Sequence, residues 1–267
     1  PMAPAFADAE AMLAAARKSG KVAALGYNYI QSPGIRHIRK LLEEGTVGEV
    51  NQVRIEMDED FMANPDAPFS LRDDKTSGYG ALDDFGVHTL SLIQTLFGRV
   101  ARVMCDMTRP YVSRPTGGGR RDVETYDSAA ILIHLENGAS GTIQLNRSAW
   151  GRKGRIAVQI FGSKGAILFD QECFNEFQLY VTSDRPTEQG FRTILLSPHH
   201  PPYGLFTPAP GHGLGFNDLK VIECRELLSR IDGKPAHLIE FEDGVEIERT
   251  VHAMARSFAD QKWTTVR

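Results

Sequence analysis

The residues best suited to chemistry lie in one stretch, Ser77 to Leu90, reading SGYGALDDFGVHTL. Asp84 and His88 are four apart, which on a helix puts them on one face. A carboxylate beside an imidazole can orient it, favour its charged form and tune it as a general base near neutral pH. Gly78 and Gly80 open the segment, and Asp83 joins Asp84 in the first turn. Gly86 stands inside the helix, where glycine costs about 1 kcal/mol relative to alanine. The expectation is that another backbone or a ligand comes close to it. The same residues also have a structural reading, in which Asp83 and Asp84 complement the helix dipole and His88 is a core histidine.

Other candidates stand outside this stretch. Asn28 and Tyr29 follow a short strand, where the ligand crevices of α/β sheets form; plain turn chemistry is the alternative. Arg72 either holds a substrate hydroxyl or a cofactor group, or is a solvated loop arginine. Trp150 and its neighbours Arg147, Arg152 and Lys153 either line a pocket edge or end a strand. His199 and His200 have no further His or Cys at ligand spacing, so they read as loop histidines and no metal site is expected. No G-x-G-x-x-G lies between a strand and a helix. The Gly211, Gly213, Gly215 cluster follows a proline-rich loop with no strand before it, which argues against a phosphate cradle.

The elements that must position these residues follow from periodicity. Asp8 is placed to cap a helix through AEAMLAAARKSG, stopped by Gly20. Lys21 to Leu25 reads as a short strand. Ser32 and Pro33 start a second helix with Ile35, Ile38, Leu41 and Leu42 as its apolar stripe and Gly45 at its end. Val50 to Met57 alternates as a strand, and Ala81 to Phe97 reads as a third helix closed by Gly98. From Val100 the pattern becomes strand after strand: Val100–Met107, Ser128–Leu135, Ser140–Asn146, Arg155–Phe161, Ala166–Phe169 and Glu176–Val181. Turns at Glu136-Asn137-Gly138 and Gly162-Ser163-Lys164-Gly165 imply hairpins, hence antiparallel pairing. Gly117 to Arg121 reads as a loose loop. Two helices close the chain, one beginning at Asn217 or Asp218 and one running from about Val245 to Asp260. The fold expected is α/β (α+β): a mostly antiparallel open sheet with helices on one face.

Composition excludes whole classes. The chain has 267 residues, 30 Lys plus Arg and 34 Asp plus Glu, for a net charge of −4. A mildly acidic chain lacks the footprint of a nucleic-acid binder. No apolar run reaches the roughly 18 residues of a membrane span. Three dispersed cysteines argue against a disulfide framework, so the reading is a reduced, cytoplasmic protein. The segment that starts at Pro1 has no charged n-region and no apolar h-region, so it does not read as a signal peptide.

Gly80, Leu82, Asp84, Gly86 and His88 together resemble the GGGxLxDxGxH signature of the glucose–fructose oxidoreductase / inositol dehydrogenase / MocA-like family of NAD(P)-dependent oxidoreductases. Further segments resemble that family in order: GYNY at Gly26 to Tyr29, EEGTVGEV at Glu43 to Val50, Glu136 to Lys153, FGSKGAILFD at Phe161 to Asp170, and PGHGLGFNDLK at Pro210 to Lys220. The resemblance covers essentially the whole chain. It implies His88 as general base on a substrate hydroxyl, Asp84 as its partner, and NAD or NADP as hydride acceptor. It also implies a small-molecule sugar or cyclitol as substrate, and a loop carrying His212 and Asp218 that closes over the sugar. Capping by Asn217 or Asp218 is the structural alternative for that loop. The acidic run Asp58, Glu59, Asp60 is either solvated surface or a set of acceptors for polyol hydroxyls.

The opening PMAPAFADAEAMLAAA resembles the proline and helix of the family's Glu-Lys-Pro motif, which puts Pro1 and Tyr27 beside the cofactor. By that resemblance, the lysine and about 100 to 120 residues of a dinucleotide-binding domain would precede Pro1. The expectation is therefore a C-terminal part of a longer enzyme, inactive alone. Residues 1–48 are read as a Rossmann-type remnant of helix, strand and crossover helix, and 49–267 as the substrate-binding and oligomerisation sheet domain. A homo-oligomer through the open sheet face is expected. Three positions depart from the family: Ser91 for its usual Asp, Ile30 for its Arg, and Leu71-Arg72 for its Trp-Arg. They tend to line the pocket, so no particular sugar carries over. A stand-alone sugar-binding module and a pure dimerisation module remain alternatives.

Overall fold

A computed structural model describes residues 1–267. Helix α1 (Phe6–Ser19) leads into β1 (Ala24–Leu25), a short turn of 3-10 helix (Asn28–Gln31) and α2 (Pro33–Glu43). Strand β2 (Val50–Glu59) enters the main sheet. After a long excursion, a π turn (Leu82–Gly86) runs into α3 (Val87–Phe97). Then come β3 (Val100–Thr108), the ribbon β4 (Ser113–Thr116) and β5 (Gly119–Asp122), β6 (Ser128–Leu135), β7 (Ser140–Asn146), β8 (Lys153–Gly162), β9 (Gly165–Asp170), β10 (Glu176–Val181) and β11 (Arg192–Leu195). Helix α4 (Phe216–Ile231), β12 (Ile239–Glu240), α5 (Phe241–Asp260) and β13 (Thr264–Thr265) end the chain.

Nine strands form one sheet in the order β11-β10-β9-β8-β2-β7-β6-β3-β13. Every neighbouring pair is antiparallel except β2 and β7, which run parallel. Alternation sorts the faces. Val53, Ile55, Met57, Ile131, Ile133, Ile143, Leu145, Ile156, Val158 and Ile160 are buried under the helices. Gln52, Arg54, Thr142, Gln144 and Leu132 point to the open face, where Leu132 is 49% exposed. The mixed α/β fold with a large, mostly antiparallel sheet agrees with the sequence reading.

Several local expectations are corrected. Helix α1 starts at Phe6 with Ala5 as N-cap and no side-chain cap, so Asp8 sits in the first turn and acts on the dipole only. Ser32 likewise makes no capping hydrogen bond, and Pro33 alone sets the start of α2. The strand expected over Lys21–Leu25 shrinks to Ala24–Leu25, which pairs with β12. The supposed loose loop at Gly117–Arg121 is the turn and second strand of the β4–β5 hairpin, with Gly119 at φ 140°. Helix α5 begins four residues early, at Phe241, with Asp243 accepting from Glu240 N at 3.2 Å. No helix is long and apolar enough to cross a membrane.

Candidate active site

The site gathers at the carboxyl ends of the one parallel pair. Asp58 of β2 lies opposite Asn146 of β7, so Glu59 and Arg147 leave the sheet side by side. Two backbone bonds tie these exits together: Met62 N donates to Arg147 O at 2.9 Å, and Ala149 N donates to Glu59 O at 2.9 Å. The π turn and the start of α3 cross above them and bring in Asp84 and His88.

Glycines make that crossing possible. Gly80 has φ 97°, and a Cβ there would stand 2.4 Å from Tyr126 O. This close approach lets Ala81 N donate to Tyr126 O at 2.8 Å and pins the turn to the sheet. Asp83 is buried and accepts from the backbone N–H of Tyr79 and of Gly80, so it organises the entry and is not aimed at a ligand. The expectation for Gly86 fails: a Cβ there meets only Leu145 Cδ1 at 3.5 Å, an ordinary contact. The irregularity of this segment is the wider π turn itself, of a kind that often marks functional sites.

Asp84 does not hydrogen-bond His88. Its Oδ2 accepts from Arg147 Nη1 at 2.7 Å and stands 3.7 Å from Arg72 Nε. Arg147 is fully buried and also donates to Asp127 Oδ1 at 2.8 Å. Asp127 is itself fully buried. Sequence reading left Arg147 between a pocket edge and a strand end; it is the buried cation that holds the site's acid. Asp127 was missed, because nothing near it in sequence marks it.

The His88 imidazole packs edge-on against two phenol rings, Tyr27 at 5.3 Å and Tyr29 at 5.0 Å between centroids. Burial pulls its pKa down to about 4, while Asp84 pulls the other way. The expected rise from a neighbouring carboxylate is therefore outweighed by desolvation, and the ring is neutral at physiological pH. Burial and the Glu59 carboxylate raise the Tyr29 phenol to about 12, with Gln171 opposing. The Tyr27 phenol is driven up by burial first and by Glu248 second. His88 Nδ1, the Tyr27 hydroxyl and Asn28 Nδ2 are all buried without a hydrogen-bond partner.

Arg72 spreads its guanidinium over the Phe61 ring at 5.3 Å, and Phe61 packs on Phe85. Phe61, 42% exposed, supplies an apolar wall that sequence reading did not single out. Phe216, at the start of α4, reaches Tyr29 at 5.7 Å. The loop before it is pinned by Asn175, whose side chain bonds Leu214 N and O at 2.9 Å each. His212 is exposed on that loop, its carbonyl accepting from the Tyr203 hydroxyl. The Asp218 carboxylate accepts from Gly215 N at 2.7 Å, closing the α4 N-terminus. Neither His212 nor Asp218 shares a hydrogen bond with His88, Asp84 or Tyr29. Trp150 is 68% exposed, Arg152 pairs with Glu172 and Lys153 with Asp60. His200 packs on His37 and accepts from Ser197 N, in line with a loop histidine.

Comparison with known proteins gives this geometry a setting. The GFO/IDH/MocA C-terminal domain matches residues 35–168. Levoglucosan dehydrogenase of Pseudarthrobacter phenanthrenivorans is 28% identical over an alignment of 281 residues, covering 100% of this chain and 72% of that protein. The crystal structure of an oxidoreductase domain protein from Kribbella flavida is 35% identical with a TM-score of 0.94, covering 100% of this chain and 73% of that one. A levoglucosan dehydrogenase structure in complex with NADH and L-sorbose is 29% identical with a TM-score of 0.96, covering 100% and 72%.

Proposed function

The chain belongs to the GFO/IDH/MocA family of oxidoreductases, and from that premise we propose that its site moves a hydride between a sugar or cyclitol hydroxyl and NAD or NADP. The observation that carries this reading is a neutral, buried His88 imidazole with an unpartnered Nδ1, close to an Asp84 locked by the buried Arg147. A neutral imidazole in a dry pocket is ready to accept the proton of a carbinol hydroxyl. Asp84, held beside it, stabilises the imidazolium that results. Arg147 keeps that carboxylate from rotating away, which fixes the charge before substrate arrives.

The residues around His88 fit the reactive end of a nicotinamide cofactor. The unpartnered Tyr27 hydroxyl and Asn28 Nδ2 would offer polar partners to its carboxamide, and the family resemblance assigns Pro1 to the cofactor side as well. When bound, a nicotinamide would supply the acceptor for the hydride of the carbinol carbon. Tyr29, Asn28 and Arg72 contact the substrate, Phe61 forms its apolar wall, and His212 meets it from the loop. Asp218 acts by holding that loop, since its carboxylate is engaged at Gly215 N. Residues 1–48 form the cofactor-side portion and 49–267 the substrate and assembly portion. The open face of the sheet, with Leu132 exposed among polar neighbours, is where a second copy packs.

The test is polyol-dependent reduction of NAD and of NADP by the full-length protein, followed by the near-ultraviolet absorbance of the reduced cofactor. A panel of levoglucosan, L-sorbose, myo-inositol and D-apiose should contain a substrate whose turnover His88→Gln abolishes. Turnover untouched by that change would sink the assignment.

A further inference from the structure

The acidic run Asp58, Glu59, Asp60 is divided by the structure into three different fates. Asp58 pairs with Arg155 at 3.2 Å. Asp60 pairs with Lys153 at 2.5 Å and accepts from Gly151 N. Glu59 makes no side-chain hydrogen bond and no ion pair.

Strand geometry explains the difference. Val53, Ile55 and Met57 are the core-facing row of β2, and Glu59 is the next residue of that row. It therefore points to the face on which the π turn and α3 lie. A register shift between Asp58, opposite Arg155, and Glu59, opposite Lys153, distorts the last step of the ladder with β8 and makes Glu59 the final residue of β2. Half-burial and the nearby Asp84 and Asp60 carboxylates push its carboxyl above the usual range, with Arg72 pulling the other way. Its charge is also felt by the Tyr29 phenol. Glu59 thus ends the core-facing row of β2 and leaves the sheet beside Arg147, the residue that holds Asp84.

A half-buried carboxylate without a donor loses hydration and recovers little within the protein. Two oxygens with free lone pairs suit a ligand that brings two O–H donors. They do not suit a ligand that brings a further negative charge, because the Asp84 and Asp60 carboxylates already act on Glu59 and the nearby Arg72 stands 3.7 Å from Asp84.

We propose that Glu59 receives a pair of substrate hydroxyls and selects uncharged polyols over sugar acids. The proposal deepens the oxidoreductase reading of the same site and rests on it. Glu59 brings specificity from a strand end, whereas Asp84 and His88 bring the proton chemistry from the π turn and α3.

Isothermal titration calorimetry of the NADH-saturated full-length protein tests it. The neutral probes are levoglucosan, L-sorbose and myo-inositol, and the acidic probe is D-gluconate. Wild type should bind at least one neutral probe at least about tenfold more tightly than D-gluconate. Glu59→Gln, which keeps size and one acceptor, should raise the Kd of that neutral probe about ten- to a hundredfold, the range of a lost charge-assisted pair. It should also narrow the gap to D-gluconate. Circular dichroism and Tm check that the variant is folded, and Glu59→Asp serves if it is not. Neutral binding unchanged in the folded variant, or D-gluconate bound by wild type as tightly as the neutral sugars, overturns the role of Glu59 and leaves the oxidoreductase reading standing. Wild type binding none of the sugars overturns both.

Discussion

Arg147 holds Asp84 at 2.7 Å from beneath the site, and its other terminal nitrogen holds Asp127 at 2.8 Å. One fully buried guanidinium thus joins a site acid on the π turn to a structural acid at the start of β6. The three groups are separated by at least 20 residues in sequence. Removing one partner of a buried pair leaves an uncompensated charge, which costs about 3–5 kcal/mol. Arg147→Met should therefore destabilise the protein by roughly that amount in urea unfolding. Adding Asp127→Asn should return part of the loss, because the stranded charge is gone. A double variant no more stable than Arg147→Met would show that the cost is packing alone.

The pH dependence of turnover has a definite sign. Burial holds His88 near 4, so the acid limb of kcat/KM should lie well below the ordinary histidine value of 6.5. Asp84 raises the proton affinity of the ring, so Asp84→Asn should move that limb to still lower pH, along with any loss of rate. A limb that moves up in Asp84→Asn would contradict the electrostatic picture.

Two glycines of one segment should behave oppositely. Gly80→Ala forces a Cβ to 2.4 Å from Tyr126 O at φ 97°. It should lower stability by about 1–3 kcal/mol and loosen the π turn. Gly86→Ala adds only ordinary contacts in helical backbone, so it should be neutral or stabilising by up to about 1 kcal/mol. Thermal unfolding of both variants decides this, and a destabilised Gly86→Ala would mean the π turn itself needs glycine.

His237 carries a stability signature away from the site. Its Nδ1 lies 3.1 Å from Arg39 Nη1, and burial, then Arg36 and Arg39, pull its pKa to about 4. Between about 6.5 and 4 the unfolded chain binds a proton that the folded chain refuses, so this residue contributes stability that falls as pH falls. His237→Gln removes that term. The Tm of the variant relative to wild type should accordingly improve as pH drops from 6.5 to 4. A constant offset across that window would place the His237 titration elsewhere.

Much of this was legible in the chain. Alternation marked β6, β7 and β10 to the residue, and Gly138 and Gly165 marked the hairpins beside them. These are local signals, since the period of a strand and the positive φ of a turn are properties of neighbouring residues. The spacing of Asp84 and His88, with glycines before and between, singled out the segment that the fold sets over the exits of β2 and β7. What local spacing misjudged was the partner: helix geometry paired Asp84 with His88, but the π turn and the buried charge of Arg147 gave Asp84 to a strand 63 residues away.

The tertiary structure alone decided which charges are free. Asp58, Glu59 and Asp60 are equivalent as letters, yet two are neutralised by basic residues of β8 and one is left facing the site. The same holds for His88, whose protonation is set less by the carboxylate four residues away than by the phenols and backbone that exclude water from it. Sequence determines the elements and the types of groups they carry. Burial and pairing arise from segments far apart along the chain, and they determine which of those groups remain able to act.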